Sequence, residues 1–223
     1  MSECTLNISE IFHSIQGESS FAGWPCAFIR LAGCGHGCLG CDTAYAESDM
    51  RILETEEIIR QAVAFQAPFI EVTGGEPLLQ SAVYPLMKRL CDLRHNVLLE
   101  TGGFLTVARV DARVHKIIDL KAPSSGVCDQ NNPENIQLAL EAAPAQRQKF
   151  EFKMVLGCRS DYAWAKSLLL EHRLTDSFTI MMGVMFGKLE PKELAGWILS
   201  DRLRVRVQLQ LHKYIWPPEW RVV

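Results

Sequence analysis

Apolar runs rich in β-formers alternate with segments of helical spacing along nearly all of the chain, and no other feature restricts its fold as much. "LNISEIFHSIQ" and "CAFIRLAG" read as the first two strands. "TEEIIRQAVAF" then places apolar residues three and four apart, with Thr55 positioned as an N-cap. Strand "FIEVTGG", helix "YPLMKRLCDL", strand "NVLLETGG" and strand "VHKIIDLKAP", stopped by Pro123, continue the series. Helix "PENIQLALEAA", strand "KFEFKMVLG", helix "DYAWAKSLLLEH", strand "SFTIMMG" and helix "PKELAGWILS" follow, and "RVRVQLQLHKY" reads as a last strand. Strands and helices in turn predict an α/β fold with a mostly parallel sheet. Segments 69–72 and 97–99 read as apolar throughout, the pattern of strands covered on both faces.

Roughly six to seven strands fit this pattern. Eight βα units normally need about 250 residues. This chain has 223 and begins irregularly, so a sheet that is open or partly closed is expected. No repeat, low-complexity tract or composition shift marks a boundary, and a single domain over residues 1–223 is expected. The net charge of -3 with no long basic run argues against a nucleic-acid partner held by phosphate neutralisation. No apolar run approaches membrane-spanning length, so no membrane partner is expected. The N-terminal "MSECTLNISEIF" lacks the basic and apolar regions of a secretory signal. A cytoplasmic location with reduced thiols is expected, the outlying cysteines at 4, 26, 91, 128 and 158 being small core or surface residues.

Polar, glycine-rich clusters fall where strands end: "GCGHGCLGCDT", "TGGEP", "ETGG" and "DLKAP". In parallel α/β folds the carboxyl ends of the strands carry the site. The first cluster holds Cys34, Cys38 and Cys41 in a Cys-x3-Cys-x2-Cys spacing, with glycines at 33, 35, 37 and 40 that allow tight and left-handed backbone. A structural zinc wants four protein ligands, and the fourth here has to be His36 or a distant residue. A four-iron cluster also wants four. Three thiolates leave one iron open to a small molecule, which makes the missing ligand a substrate site. A zinc knuckle and chance clustering remain the alternatives.

"CGHGCLGC" resembles the motif of the radical S-adenosylmethionine (SAM) superfamily, and "VTGGEPLL" resembles that superfamily's glycine-rich strand end. Within it, "EIFHSIQGES" before the cysteine loop, "CDT" after it, "FIRLAGC", "LLETGG" and the late "QLHKYIW" are similar to the 7-carboxy-7-deazaguanine synthases over residues 8–217. The resemblance implies a partial (β/α)6 barrel of the radical SAM type, mostly parallel, with an N-terminal substrate-binding segment and a short C-terminal tail. It implies conversion of 6-carboxy-5,6,7,8-tetrahydropterin to 7-carboxy-7-deazaguanine and ammonia, in a pathway to queuosine and other 7-deazapurines. It further implies a [4Fe-4S] cluster on Cys34, Cys38 and Cys41, SAM, magnesium on Thr43, a flavodoxin or ferredoxin as reductant, and a homodimer.

Residue by residue, the resemblance assigns Ile15, Gln16, Gly17 and Glu18 to a substrate segment, the Gln amide offering donor and acceptor to a pterin edge. It assigns Arg30 to the substrate carboxylate, where a guanidinium gives bidentate geometry, and Thr73 to a further substrate contact. It assigns Gly40, Cys41, Asp42 and Gly75 to the cofactor, Glu100 to its ribose, and Asp119, Leu120 and Lys121 to a cofactor-binding strand end. Gly74 and Gly75 present bare backbone for a ligand's amino group. Each has a plainer reading: turn residue, strand-end amide, solvated charge. Two segments depart from the family pattern. "MMGVMFG", residues 181–187, lacks a Ser-Pro or Gln-Pro pair, and the tail "IWPPEWRVV" runs past a point near Pro218 where some members end. His13 and His212 are read as structural. A glycyl-radical-enzyme activase and a non-catalytic zinc module are the competing readings.

Overall fold

The computed structural model describes residues 5–47, 50–217 and 220. Cys4 and Pro218 lie outside the described residues. The strands are β1 (Thr5–Ile15), β2 (Pro25–Leu31), β3 (Arg51–Glu54), β4 (Phe69–Gly74), β5 (Asn96–Thr101), β6 (His115–Asp119), β7 (Phe150–Leu156), β8 (Thr179–Val184) and β9 (Arg206–Gln208). The helices are α1 (Thr55–Ala64), α2 (Val83–Asp92), α3 (Glu134–Glu141), α4 (Pro144–Arg147), α5 (Arg159–Glu171), α6 (Pro191–Asp201) and α7 (His212–Ile215). The described strands form one sheet in the order β3-β1-β2-β4-β5-β6-β7-β8-β9. From β2 to β9 every pairing is parallel, while β1 pairs antiparallel with both β2 and β3. The sheet does not close, so this α/β fold is a partial barrel. No helix among the described residues is long and apolar enough to cross a membrane.

Alternation along the strands separates the two faces. Ile70 and Val72, Val97 and Leu99, Ile118, and Phe152, Met154 and Leu156 join the main apolar core. Helices cover that face with matching stripes: α2 buries Val83, Leu86, Met87 and Leu90, the i, i+3, i+4, i+7 pattern of one helix face. Each such side chain contributes about 1.5–3 kcal/mol by leaving water. The other face is concave, and Glu71, Thr73, Glu100, Asp119 and Lys153 line it. Strand 69–72 is therefore buried on both sides but not apolar throughout: Glu71, 1% exposed, points inward.

Two local expectations are corrected, and the direction of the first strand is settled. Thr55 does not cap α1: Glu54 occupies that position, with no side-chain cap bond. The last strand stops at Gln208, and His212–Ile215 turns into α7, so "HKY" sits on a short helix. The first strand does not run with the others, so Gln16 follows Ile15 at the end of β1 that pairs with Pro25, the start of β2. Residues 16–23 then cross the concave face at the strands' amino ends. Gln16 N donates to Trp24 O at 2.8 Å, Ser20 N donates to Glu151 Oε2 at 3.1 Å, and Phe21 packs on Phe69 and His115.

Candidate active site

A cavity of about 630 Å³ occupies the concave face. The cysteine loop forms one end of it. Cys34, Cys38 and Cys41 all line the cavity, and all three are free thiols. Burial raises the Cys34 thiol above its ordinary range, and its two neighbours add to the rise. Burial also raises Cys38, with the Lys121 ammonium pulling the other way. The Cys34 and Cys38 thiols, which burial keeps protonated, stand with Cys41 around a space matched to a cationic centre that would take the place of their protons. Among the described residues, no three His, Cys, Asp or Glu side chains close on a site for a single ion. His36 does not line the cavity: its ring stacks on Phe104 at 3.7 Å and its Nδ1 meets Gln130 Oε1 at 2.7 Å.

The two glycines at the end of β4, Gly74 and Gly75, let this loop sit where it does. A Cβ on Gly74 would lie 2.6 Å from Leu31 O, and one on Gly75 would lie 2.4 Å from Gly33 O and 2.8 Å from Cys34 Cβ. Gly75 N donates to Leu31 O at 3.2 Å and Glu76 N to Gly33 O at 3.0 Å. The glycines thus dock the end of β4 against the root of the cysteine loop, beyond any backbone they offer a ligand. Glu76 fastens the next strand end: fully buried, it accepts from Thr101 Oγ1 at 2.8 Å, Gly102 N at 2.9 Å and Leu78 N at 3.1 Å. Gly40, at φ +74°, leaves room for Met185, whose sulfur lies 3.2 Å from where a Cβ would stand. Met185, Phe186 and Lys188 line the cavity, so the divergent segment supplies side chains as well as backbone.

The middle of the cavity is an ion-pair network. Lys153, 5% exposed, donates to Glu18 Oε2 at 2.6 Å and to Glu100 Oε1, and lies 3.8 Å from Asp119 Oδ2. Lys121 Nζ donates to Asp119 Oδ2 at 2.8 Å. Burial alone would neutralise these groups; the pairing outweighs it, lifting Lys121 to about 12, raising Lys153 and holding Asp119 down. Asp119 Oδ1 is buried at the cavity wall without a hydrogen-bond partner among the described residues, an acceptor suited to a ligand hydroxyl or ammonium. Leu120, 1% exposed, turns into the apolar core and does not line the cavity.

At the amino end of the strands, Ile15, Gln16, Gly17 and Glu18 line the cavity floor with Glu71. The Gln16 amide is fixed at both ends: Oε1 accepts from Glu18 N at 2.9 Å and Nε2 donates to Glu71. Arg30 and Thr73 line the wall. Arg30 Nε donates to Glu10 Oε1 at 2.5 Å, and the Tyr45 hydroxyl donates to the same oxygen at 2.8 Å. The Arg30 guanidinium also lies over the Phe12 ring, 5.6 Å from its centroid. Thr43 lines the cavity with its Oγ1 3.6 Å from Cys41 Sγ.

The tail joins floor and cysteine loop. Leu211 N donates to Gly17 O at 3.0 Å, and Gln210 Nε2 donates to Glu18 Oε1 at 2.9 Å. Lys213 Nζ lies 3.1 Å from Asp42 Oδ2; burial would raise the Asp42 carboxyl, and Lys213 instead holds it at about 2. His212 lines the cavity and a Cβ on Gly17 would meet its Nδ1 at 2.6 Å, so it belongs to the site although the sequence marked it as structural. Sequence reasoning also passed over Glu10, Tyr45, Glu71, Lys153 and Gln210. Only Glu71 and Lys153 left a signal, Glu71 as the one charge in β4 and Lys153 as one of two, with Glu151, in an otherwise apolar β7.

Residues 28–127 match the radical SAM superfamily. The chain is 59% identical over 221 residues to a 7-carboxy-7-deazaguanine synthase of Chlorobaculum tepidum, covering 99% of both chains. It is 37% identical to one of Koribacter versatilis, covering 98% of this chain and 100% of that one. Among solved structures, QueE from Escherichia coli shares the fold at a TM-score of 0.69 and 21% identity, covering 92% of this chain and 94% of that one.

Proposed function

The chain belongs to the 7-carboxy-7-deazaguanine synthases of the radical SAM superfamily, and from that premise we propose that it contracts 6-carboxy-5,6,7,8-tetrahydropterin to 7-carboxy-7-deazaguanine, with loss of ammonia, in this cavity. The observation that carries the substrate reading is that three free thiols and a fixed amide line one cavity although they enter it from opposite ends of the sheet. The radical SAM family implies a [4Fe-4S] cluster and SAM, and bound there they supply a 5′-deoxyadenosyl radical able to take hydrogen from the pterin's C6.

The chain's own residues hold, orient and shield. Cys34, Cys38 and Cys41 carry the cluster. Gly40, Asp42, Gly75, Glu100 and Asp119 to Lys121 serve the cofactor, with Asp119 Oδ1, unpartnered among the described residues, as an acceptor for its polar hydrogens. Ile15 to Glu18 and Thr73 read the pterin, and Arg30 takes its carboxylate with the nitrogens that Glu10 leaves free. Thr43 offers a hard oxygen to magnesium, which keeps waters and borrows substrate oxygens. Leu120 serves through backbone only, its side chain being in the core. The reducing electron comes from a flavodoxin or ferredoxin in the cytoplasm. A homodimer completes the reading, and the tail's exposed Tyr214, Ile215 and Trp220 are apolar surface a second copy could cover.

Anaerobic turnover with mass spectrometry of the products tests this. The expected result is 7-carboxy-7-deazaguanine from reduced holoenzyme, SAM and the carboxytetrahydropterin. An intact cluster that cleaves SAM and never yields the deazaguanine acid overturns the substrate assignment.

A further inference from the structure

Five groups on the cavity floor form a ring, four of its links being hydrogen bonds and the fifth the juxtaposition of two carboxyls. Gln16 Nε2 donates to Glu71. Glu71 and Glu100 sit on the adjacent strands β4 and β5, close enough for the Glu100 charge to raise the Glu71 carboxyl. Lys153 Nζ donates to Glu100 and, at 2.6 Å, to Glu18. Glu18 N returns to Gln16 Oε1 at 2.9 Å. The ring spans β4, β5, β7 and the segment after β1. Gln16, Glu71 and Lys153 are 3%, 1% and 5% exposed, so water cannot stand in for a missing link.

Two carboxyls so placed can link by a hydrogen bond only if one brings a proton. Glu100 is already held by the Lys153 ammonium, which favours its charged form. Among the described residues Glu71 has no ion-pair partner, and its one side-chain hydrogen bond is accepted from a neutral amide. The proton therefore belongs on Glu71, accepting through one oxygen and donating through the other. Its carboxyl is raised well above the ordinary range, first by burial and then by the Glu100 charge.

We propose that Glu71 is a positioning residue that ties the substrate segment to the cofactor end of the cavity, acting as a carboxamide would: acceptor to Gln16, donor to Glu100. Gln16 and Glu18 set the floor on which the pterin lies, and Glu100 faces the cofactor. Ordering either ligand orders the shared ring, so each ligand tightens the other. This rests on the pterin and SAM assignments above.

The test is anaerobic titration calorimetry of holoenzyme with its cluster left oxidised, so that nothing turns over. SAM and the carboxytetrahydropterin are titrated singly and then together, for wild type, Glu71→Gln and Glu71→Leu. Glutamine reproduces the acceptor–donor pair and should keep pterin affinity and mutual enhancement within about threefold of wild type. Leucine leaves Gln16 and Glu100 unmatched and should weaken pterin by about tenfold or more, with SAM alone little changed and the enhancement gone. The proposal is overturned if Leu binds pterin as wild type does, or if Gln is as weak as Leu, which would require an ionised carboxylate. Should Leu fail to fold, the glutamine arm still decides. Wild-type holoenzyme that binds SAM and no pterin overturns the substrate reading, and this inference with it.

Discussion

Gly75→Ala puts the close approach of β4 to the cysteine loop under direct test. The added Cβ would lie 2.4 Å from Gly33 O, 2.7 Å from Gly33 C and 2.8 Å from Cys34 Cβ. Cβ atoms do not come nearer than 3.0 Å, so the loop root has to retreat by about 0.6 Å, and the obstructing atoms are mainly backbone that cannot swing aside. Overpacking of this kind costs about 1–3 kcal/mol. Retreat also stretches the Gly75 N–Leu31 O and Glu76 N–Gly33 O bonds, each worth about 0.5–1.5 kcal/mol. A loss near 3 kcal/mol lowers the melting temperature of a chain this size by about 6–12 °C. The same methyl added at Gly196, inside α6 with nothing within 4 Å, should instead stabilise by about 0.5–1 kcal/mol. Calorimetric melting of both variants, with iron and sulfide analysis after anaerobic reconstitution, makes the comparison. Gly75→Ala should melt early and load poorly. If it melts and loads like wild type while Gly196→Ala behaves as expected, the docking role of Gly75 is refuted.

Gly17→Ala clashes with the His212 ring at Nδ1, which can turn away, and touches the His212 backbone only at ordinary contact distance; stability should fall by less than about 1 kcal/mol, while the KM for the pterin rises as His212 leaves the floor. Lys153→Met leaves the Glu18, Glu100 and Asp119 carboxylates without their shared ammonium, and chemical denaturation should show a loss of about 3–5 kcal/mol. Glu71 makes stability depend on pH with a definite sign. Below its ordinary value of 4.5 both states hold the proton; above it the unfolded chain releases a proton that the folded chain keeps, so stability falls as pH rises until the raised native value is passed. Facing it are Gln16, Glu18, Glu100, Lys153 and the Cys26 thiol. Denaturation midpoints measured from about pH 5 to 8 should slope less in Glu71→Gln than in wild type, and equal slopes would contradict a proton on Glu71.

The βα series was legible because apolar periodicity is local, and so was the cysteine loop, whose spacing lies in one short window. What escaped depended on partners far along the chain. β3 was missed because "RILE" is four residues long and Ile52 is 69% exposed, so it carries no burial signal. The tail read as one strand because "RVRVQLQ" alternates, yet Leu211 N bonds Gly17 O nearly two hundred positions away and the chain turns into α7. Glu71 was absorbed into an apolar run because its partners, Gln16 and Glu100, come from other strands. The glycines at the end of β4 were recognised as a cofactor motif, but what fills the space of their missing methyls is the carbonyls of Leu31 and Gly33, which no local pattern announces.

The crossing of residues 16–23 beneath the strands, with the thiol loop at the far end, makes the molecule a vessel whose base and mouth are separate pieces. The base hangs from the β1–β2 hairpin and is latched by the tail through Gly17 and Glu18; the mouth is built from β2, β4 and their connecting turns. The same tail also grips Asp42 of the thiol loop, and Lys153 bridges Glu18 to Glu100, so a base redrawn for a different heterocycle has to keep these joints if the mouth is to hold its shape.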